Sequence, residues 1–116
     1  MRALVFSGIG LTDLAVQNFD RALALDSKNI LNSYNRGVVL VNAKRYDQSM
    51  TDFNRALAID PNHWPSLYYR GYAHLKTGKP DKAIADFDHV LRLKPGYDDA
   101  MRNRAEALKA KGTPKP

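Results

Sequence analysis

Between Leu31 and Ile59 the apolar residues fall into two helical runs separated by a polar break. Leu31, Tyr34, Val38 and Val41 recur at intervals of three and four, the spacing that lines one face of an α-helix. That run stops near Asn42–Arg45. A second begins at Asp47, carries Met50, Phe53, Leu57 and Ile59, and ends at Asp60-Pro61. Proline cannot continue a helix and biases the residue before it toward extended backbone, so this boundary has a mechanism. The next stretch repeats the plan. Pro65 suits a helix start, Gly78 marks a turn and Pro80 opens the following helix. The pattern predicts pairs of helices joined by short turns.

The plan has a fixed interval. Arg2, Arg36, Arg70 and Arg104 stand 34 residues apart, and Phe19, Phe53 and Phe87 keep the same step. So do Asp13, Asp47 and Asp81, and the prolines Pro61 and Pro95. A period of this size marks a solenoid, in which each unit is too small to bury its own apolar face and shelters it against the next. The register gives a truncated unit over 1–29, whole units over 30–63 and 64–97, a capping helix over 98–111 and a flexible tail over 112–116.

The repeated residues resemble those of the tetratricopeptide repeat (TPR) family. Gly37 and Gly71 match its glycine in the first helix, where the partner helix comes close. Ser49/Phe53/Ala56 and Ala83/Phe87/Val90 match its Ala-x-x-x-Phe-x-x-Ala run in the second helix, and Ala15, Phe19 and Ala22 hold those places in Leu11–Asp26. Pro61 and Pro95 match its terminal proline. The family's Trp-x-x-Leu-Gly-x-x-Tyr reads here as Ser33-x-x-Arg36-Gly37-x-x-Leu40 and Leu67-x-x-Arg70-Gly71-x-x-His74, and the lone tryptophan, Trp64, stands three places early. The resemblance implies an all-α fold, a right-handed superhelical solenoid of helix-turn-helix repeats with two full repeats and partial ones at both ends.

Arginine at a helix-interior place needs a partner. Asp52 and Asp86 recur one residue before the phenylalanine, on the helix that faces Arg36 and Arg70. A partly buried guanidinium is stabilised by a carboxylate at constant offset, so the arginines read as structural pairs rather than a basic ladder. Asn18 replaces the acid in the first unit, where the pair with Arg2 should fail.

In the family the first helices line a concave groove across which partner segments lie. Place by place, that implies Leu31, Tyr34, Asn35, Val38, Val41 and Asn42 from the first whole unit. The second gives Pro65, Tyr68, Tyr69, Tyr72, Leu75 and Lys76. The capping helix adds Asp99, Arg102, Asn103 and Glu106. Tyrosine offers a large apolar face and one hydrogen bond at low entropic cost, which makes the Tyr34/Tyr68/Tyr69/Tyr72 cluster the strongest candidate surface. The same rings could equally fill space between helices. The family's clamp for a terminal carboxylate uses lysines, arginine and asparagines. Asn35 matches one of its asparagines, but Pro65 and Tyr69 stand where cations are needed, which speaks against anionic-tail capture of that kind.

Composition narrows the chemistry. The chain has 116 residues and no cysteine, which removes thiolate nucleophiles, disulfides and cysteine-ligated zinc. His63, His74 and His89 have no ligand-like spacing, Gly8-x-Gly10 lacks the third glycine of a phosphate cradle, and no Gly-x-Ser-x-Gly elbow is present. These absences predict a non-catalytic chain with no cofactor. The net charge is +6, and Lys94–Pro116 carries six bases against three acids. Nucleic-acid binding needs a positive track beside stacking rings, whereas many bases here fall at outer or turn places such as Lys44, Arg45, Lys79 and Lys82. Ala3–Leu11 is far short of the ~20 apolar residues of a membrane span. After Arg2 it faintly resembles a secretory signal, but the 34-residue register already explains these residues as part of a repeat.

Two functional expectations follow. One is a module that holds a protein or peptide segment in the concave groove. The other is self-association as a homodimer, since the first unit is incomplete and Leu11–Leu25 lacks a full partner helix. Met1–Ser7 makes barely two turns, so the chain reads as a segment of a longer array or as one whose amino end packs on another copy.

Overall fold

A computed structural model describes residues 9–26 and 28–112. Arg2 and the first helix expected of the truncated unit lie outside the described residues. Six helices follow in order: α1 (Ile9–Leu25), α2 (Ile30–Asn42), α3 (Tyr46–Ile59), α4 (Trp64–Lys76), α5 (Pro80–Leu93) and α6 (Asp98–Gly112). No strand occurs among the described residues. Each helix packs on its neighbours in sequence, and α2 also touches α4, as α4 touches α6. First helices of successive units therefore form one layer, and second helices lie behind them. The radius of gyration, 15.4 Å, exceeds the ~13 Å of a compact domain this long, as an extended stack should.

The helix boundaries have local causes. Asn29 caps α2, its Oδ1 accepting from the amides of Leu31 (3.0 Å) and Asn32 (3.2 Å). Pro80 sits in the first turn of α5, where no amide hydrogen is needed. The turns inside the two whole units share one device. The Arg45 amide donates to the Leu40 carbonyl and the Lys79 amide to the His74 carbonyl, each at 2.8 Å, with Lys44 and Gly78 in the left-handed region at φ 62° and 78°. Gly78 adopts that backbone without strain; Lys44 does not.

The core is divided between neighbours. Val41, Phe53 and Ala73 form one cluster, and Leu57, Leu67, Ala83, Phe87, Val90, Ala100 and Ala107 another. The first draws on both whole units and the second on both together with α6, so neither unit closes its core alone. Phe53 and Phe87 are fully buried, and they lie where the glycines leave room. A Cβ on Gly37 would stand 2.6 Å from Phe53 Cε1, and one on Gly71 2.9 Å from Phe87 Cε1.

The arginines occupy the seam between units. Arg36 Nε donates to both carboxylate oxygens of Asp52 at 3.0 Å, and Arg70 holds Asp86 through Nε (2.9 Å) and Nη2 (2.8 Å). Each guanidinium also reaches back to the preceding second helix. Arg36 pairs with Asp20, Arg70 Nη1 donates to Asn54 Oδ1 at 2.9 Å, and Arg104 pairs with Asp88. Around Arg36 and Arg70 the partners stand 16 residues after and 16 before, so one side chain ties three helices together.

Candidate functional site

The first-helix layer and the turns beside it carry an array of aromatic rings. Tyr34 meets Tyr69 edge-on at 5.9 Å between centroids, Tyr69 meets Tyr68 at 5.3 Å, Tyr68 meets Tyr97 at 5.5 Å, and Tyr97 meets Trp64 at 5.1 Å. Tyr46 meets Tyr72 at 6.4 Å. Each ring is partly exposed, and several also pad the core. Tyr69 stacks on Phe53 and Tyr68 tilts against Phe87. The array is both a wall of the core and the floor of a surface cleft.

That cleft, of about 390 Å³, is lined by Val41, Asn42, Lys44, Tyr46, Tyr68, Tyr69, Tyr72, Tyr97 and Asp99. Of the candidate groove residues it gathers Val41, Asn42, Tyr68, Tyr69, Tyr72 and Asp99. Tyr34 lies beside it, half-buried between Phe53, His63 and Tyr69. Val38 and Leu75 pack mainly on the core, Pro65 is half-buried at the start of α4, and Leu31, Asn35 and Glu106 are exposed outside the cleft. Lys76 lays its Nζ over the Tyr72 ring at 5.4 Å from the centroid, and Arg102 pairs with Asp99. Lys44, Tyr46 and Tyr97 escaped the reading by first helices because they stand in turns or open a second helix. Tyr97 does have a sequence signal, since it follows Pro95-Gly96 directly before α6.

The hydrogen-bonding character of the cleft is set by its neighbours. Burial pushes the hydroxyls of Tyr34 and Tyr68 up to about 12, so both remain protonated donors at physiological pH. Asn103 donates its amide to the Tyr68 hydroxyl at 2.9 Å and to the Asp99 carbonyl at 3.0 Å. With that oxygen engaged as an acceptor, the Tyr68 proton can serve a ligand. Lys44 brings a cation to the rim on a backbone held at positive φ, an unfavourable conformation retained at the cleft edge. The arrangement can hold apolar and aromatic side chains while bonding a backbone or side-chain acceptor.

No group of histidine, cysteine and carboxylate side chains suited to a metal occurs among the described residues, and none of their helices is long and apolar enough to cross a membrane.

Comparison with known proteins places this geometry. The model of the tetratricopeptide repeat matches residues 33–63 and 64–97. No curated protein matches the chain significantly by sequence. Among solved structures, the second TPR domain of human RPAP3, in complex with the HSP70 peptide SGPTIEEVD, is 28% identical with a TM-score of 0.80, over 97% of this chain and 91% of that one. The Arabidopsis OM64 TPR domain is 25% identical with a TM-score of 0.81, over 86% and 83%. The first TPR of Spaghetti (RPAP3), bound to the HSP90 peptide SRMEEVD, is 23% identical with a TM-score of 0.86, over 90% and 82%. With its repeats matched by the family model and its helices paired at the family's interval, the chain belongs to the tetratricopeptide repeat family.

Proposed function

We propose that the chain is a non-catalytic protein-interaction module whose tyrosine-lined cleft and the adjoining face of α2, α4 and α6 hold a segment of a partner protein. The observation that carries this reading is the cleft itself: five tyrosines and Asn42 around one concavity, with the Tyr68 hydroxyl oxygen accepting from Asn103. Such rings supply contact area cheaply, and the amide and hydroxyl supply backbone hydrogen bonds. Tyr34, Asn35, Val38, Leu31 and Lys76 extend the surface toward α2, and Arg102 and Asn103 toward α6. Two similar TPR domains are solved with bound peptides, which supports a peptide as the occupant. Both peptides end in Glu-Glu-Val-Asp, yet Pro65 and Tyr69 replace the cations of a terminal-carboxylate clamp here. The proposed occupant is therefore an internal segment rather than a chain end.

The test is selection of binders from a displayed random-peptide library, followed by affinity measurement with the selected peptides. Tyr68 also supports Phe87, so the informative variants are Tyr72→Ala and Asn42→Ala, which leave that contact intact. Loss of about tenfold or more in affinity with unchanged helical circular dichroism is the expected result. Unaltered binding in the double variant would overturn the reading.

A second reading is supported by α1, where Leu11 and Leu14 are 53% and 54% exposed. An apolar strip of this kind can be covered by a second copy. Light scattering should then show a concentration-dependent dimer that Leu11→Lys with Leu14→Lys converts to monomer. A monomer at every concentration removes this reading.

A further inference from the structure

We propose that the tyrosine cleft selects segments carrying an internal Asp or Glu, whose carboxylate sets against Lys44 and Lys76 and fixes the direction in which the segment lies. This rests on the reading of the cleft as a peptide site and adds what the peptide must carry. The two ends of the cleft differ in charge. At the α2–α3 turn, Lys44 lines the wall with Tyr46 and Tyr72, and Lys76 lies over the Tyr72 ring. Neither lysine has a carboxylate partner among the described residues. Asp47 is near Lys44 in sequence, but it lines a neighbouring cleft with Arg45, Gln48 and Thr77.

At the other end the charges are already matched. Asp99 pairs with Arg102 and accepts from the Tyr97 hydroxyl at 3.5 Å. Lys94 Nζ lies 4.6 Å from the centroid of the Trp64 ring. A bound segment therefore meets uncompensated positive charge at one end only. An acid there is attracted, whereas the same acid beside Asp99 is repelled.

The Lys44 backbone is a second, independent sign that its side chain is used. It stands at φ 62°, a conformation unfavourable to any residue with a Cβ, and Gly78 fills the same place in the next turn. Backbone strain of this kind concentrates where a side chain must be aimed at a ligand. The type of cation narrows the ligand further. Phosphate sites favour guanidinium forks, and Arg45, the arginine beside Lys44, is already held by Asp13 at 2.8 Å. The two lysines are compact point charges with rotatable donors, which suit a single carboxylate.

Peptides selected by display against the intact chain provide the test, with affinities from fluorescence anisotropy. They should share Asp or Glu at one fixed position. Replacing that acid by its amide should weaken binding about threefold to tenfold at low salt, and by less at high salt. Lys44→Gln with Lys76→Gln should cause the same loss and make the amide replacement silent, whereas Lys44→Arg with Lys76→Arg should retain binding. In a double-mutant cycle, Arg102→Gln should leave the effect of the amide replacement unchanged. Phosphoserine at the acid position should bind within about threefold of the acid. The proposal is overturned if the peptides share no acid, if the acid couples to Arg102 and not to the lysines, or if phosphoserine improves binding by about tenfold or more. Where such a result accompanies lost binding in Tyr72→Ala with Asn42→Ala, the cleft remains a peptide site and only its acid preference falls. Failure to select any peptide removes both.

Discussion

Arg70 and Asp86 form two parallel hydrogen bonds across the seam between α4 and α5, Nε to Oδ2 at 2.9 Å and Nη2 to Oδ1 at 2.8 Å. The equivalent Asp52 is fully buried, and its burial pushes the carboxyl pKa up against the downward pull of Arg36. Removing one member of such a pair strands the other in a poorly solvated place. Asp52→Ala and Asp86→Ala should each cost about 2–4 kcal/mol in urea unfolding. Asp20→Ala, at a half-exposed end of the same network, should cost at most ~1 kcal/mol. Equal effects at Asp20 and Asp52 would show that the pairs do not divide by burial.

The glycines opposite the phenylalanines give a second measurable asymmetry. Alanine raises helix propensity by ~1 kcal/mol over glycine, but its methyl would overlap a buried ring. At Gly37 the nearest ring atoms would be 2.6, 2.8 and 3.0 Å from the new Cβ. Phe53 has no exposed space into which to retreat. Gly37→Ala should destabilise by about 1–3 kcal/mol, and Gly37→Ala with Phe53→Leu should recover part of that loss relative to Phe53→Leu alone. A net gain in thermal midpoint from Gly37→Ala would contradict the close approach.

Most of the fold was legible because its causes are periodic. Pro61, Gly78 and Pro80 mark boundaries by backbone geometry alone, and Phe53 and Phe87 announce the cores by recurring opposite glycine. The acids 16 residues after Arg36 and Arg70 were legible for the same reason. Their backward partners, Asp20, Asn54 and Asp88, keep the 34-residue step too. They escaped attention because they lie in the preceding unit, and a partner search within one unit cannot reach them. The cleft was half legible. Tyr68, Tyr69 and Tyr72 follow from their helix, whereas Lys44, Tyr46 and Tyr97 enter it from turns and a second-helix start, where periodicity says nothing about side-chain direction.

His74 makes the second seam sensitive to acid. Burial lowers its pKa below the ordinary histidine value, despite the opposing attraction of Asp86, and its Nδ1 is buried without a partner. The unfolded chain then binds a proton more readily than the folded one. Stability supplied by the neutral ring is present above pH ~6.5 and declines as pH falls toward the lowered folded-state value. Leu40 and Leu108 hold the equivalent places, so His74→Leu is compatible with the helix. It should raise stability at pH 7 by ~1 kcal/mol and reduce the loss between pH 7 and 5. Burial of His63, whose pKa is also lowered, leaves a residual slope. An unchanged slope in His74→Leu would assign the acid response elsewhere.

Lys44 and Gly78 occupy the same place in successive turns, and only one of them suits it. A non-glycine residue in the left-handed region costs ~1–2 kcal/mol, whereas glycine loses more chain entropy on folding, ~0.5–1 kcal/mol. Strain wins by a small margin, so Lys44→Gly should raise stability by about 0.5–1 kcal/mol in urea unfolding. Gly78→Ala, with nothing within 4 Å of its Cβ, should lower it by a similar amount through backbone alone. Because Lys44 also lines the tyrosine cleft, Lys44→Gly should weaken binding of the peptides selected against that cleft. Lys44→Asn tolerates the same backbone and removes the same cation, so it should match the glycine variant in both respects. A stabilised variant with undiminished affinity would mean that the lysine is strained for no benefit to binding.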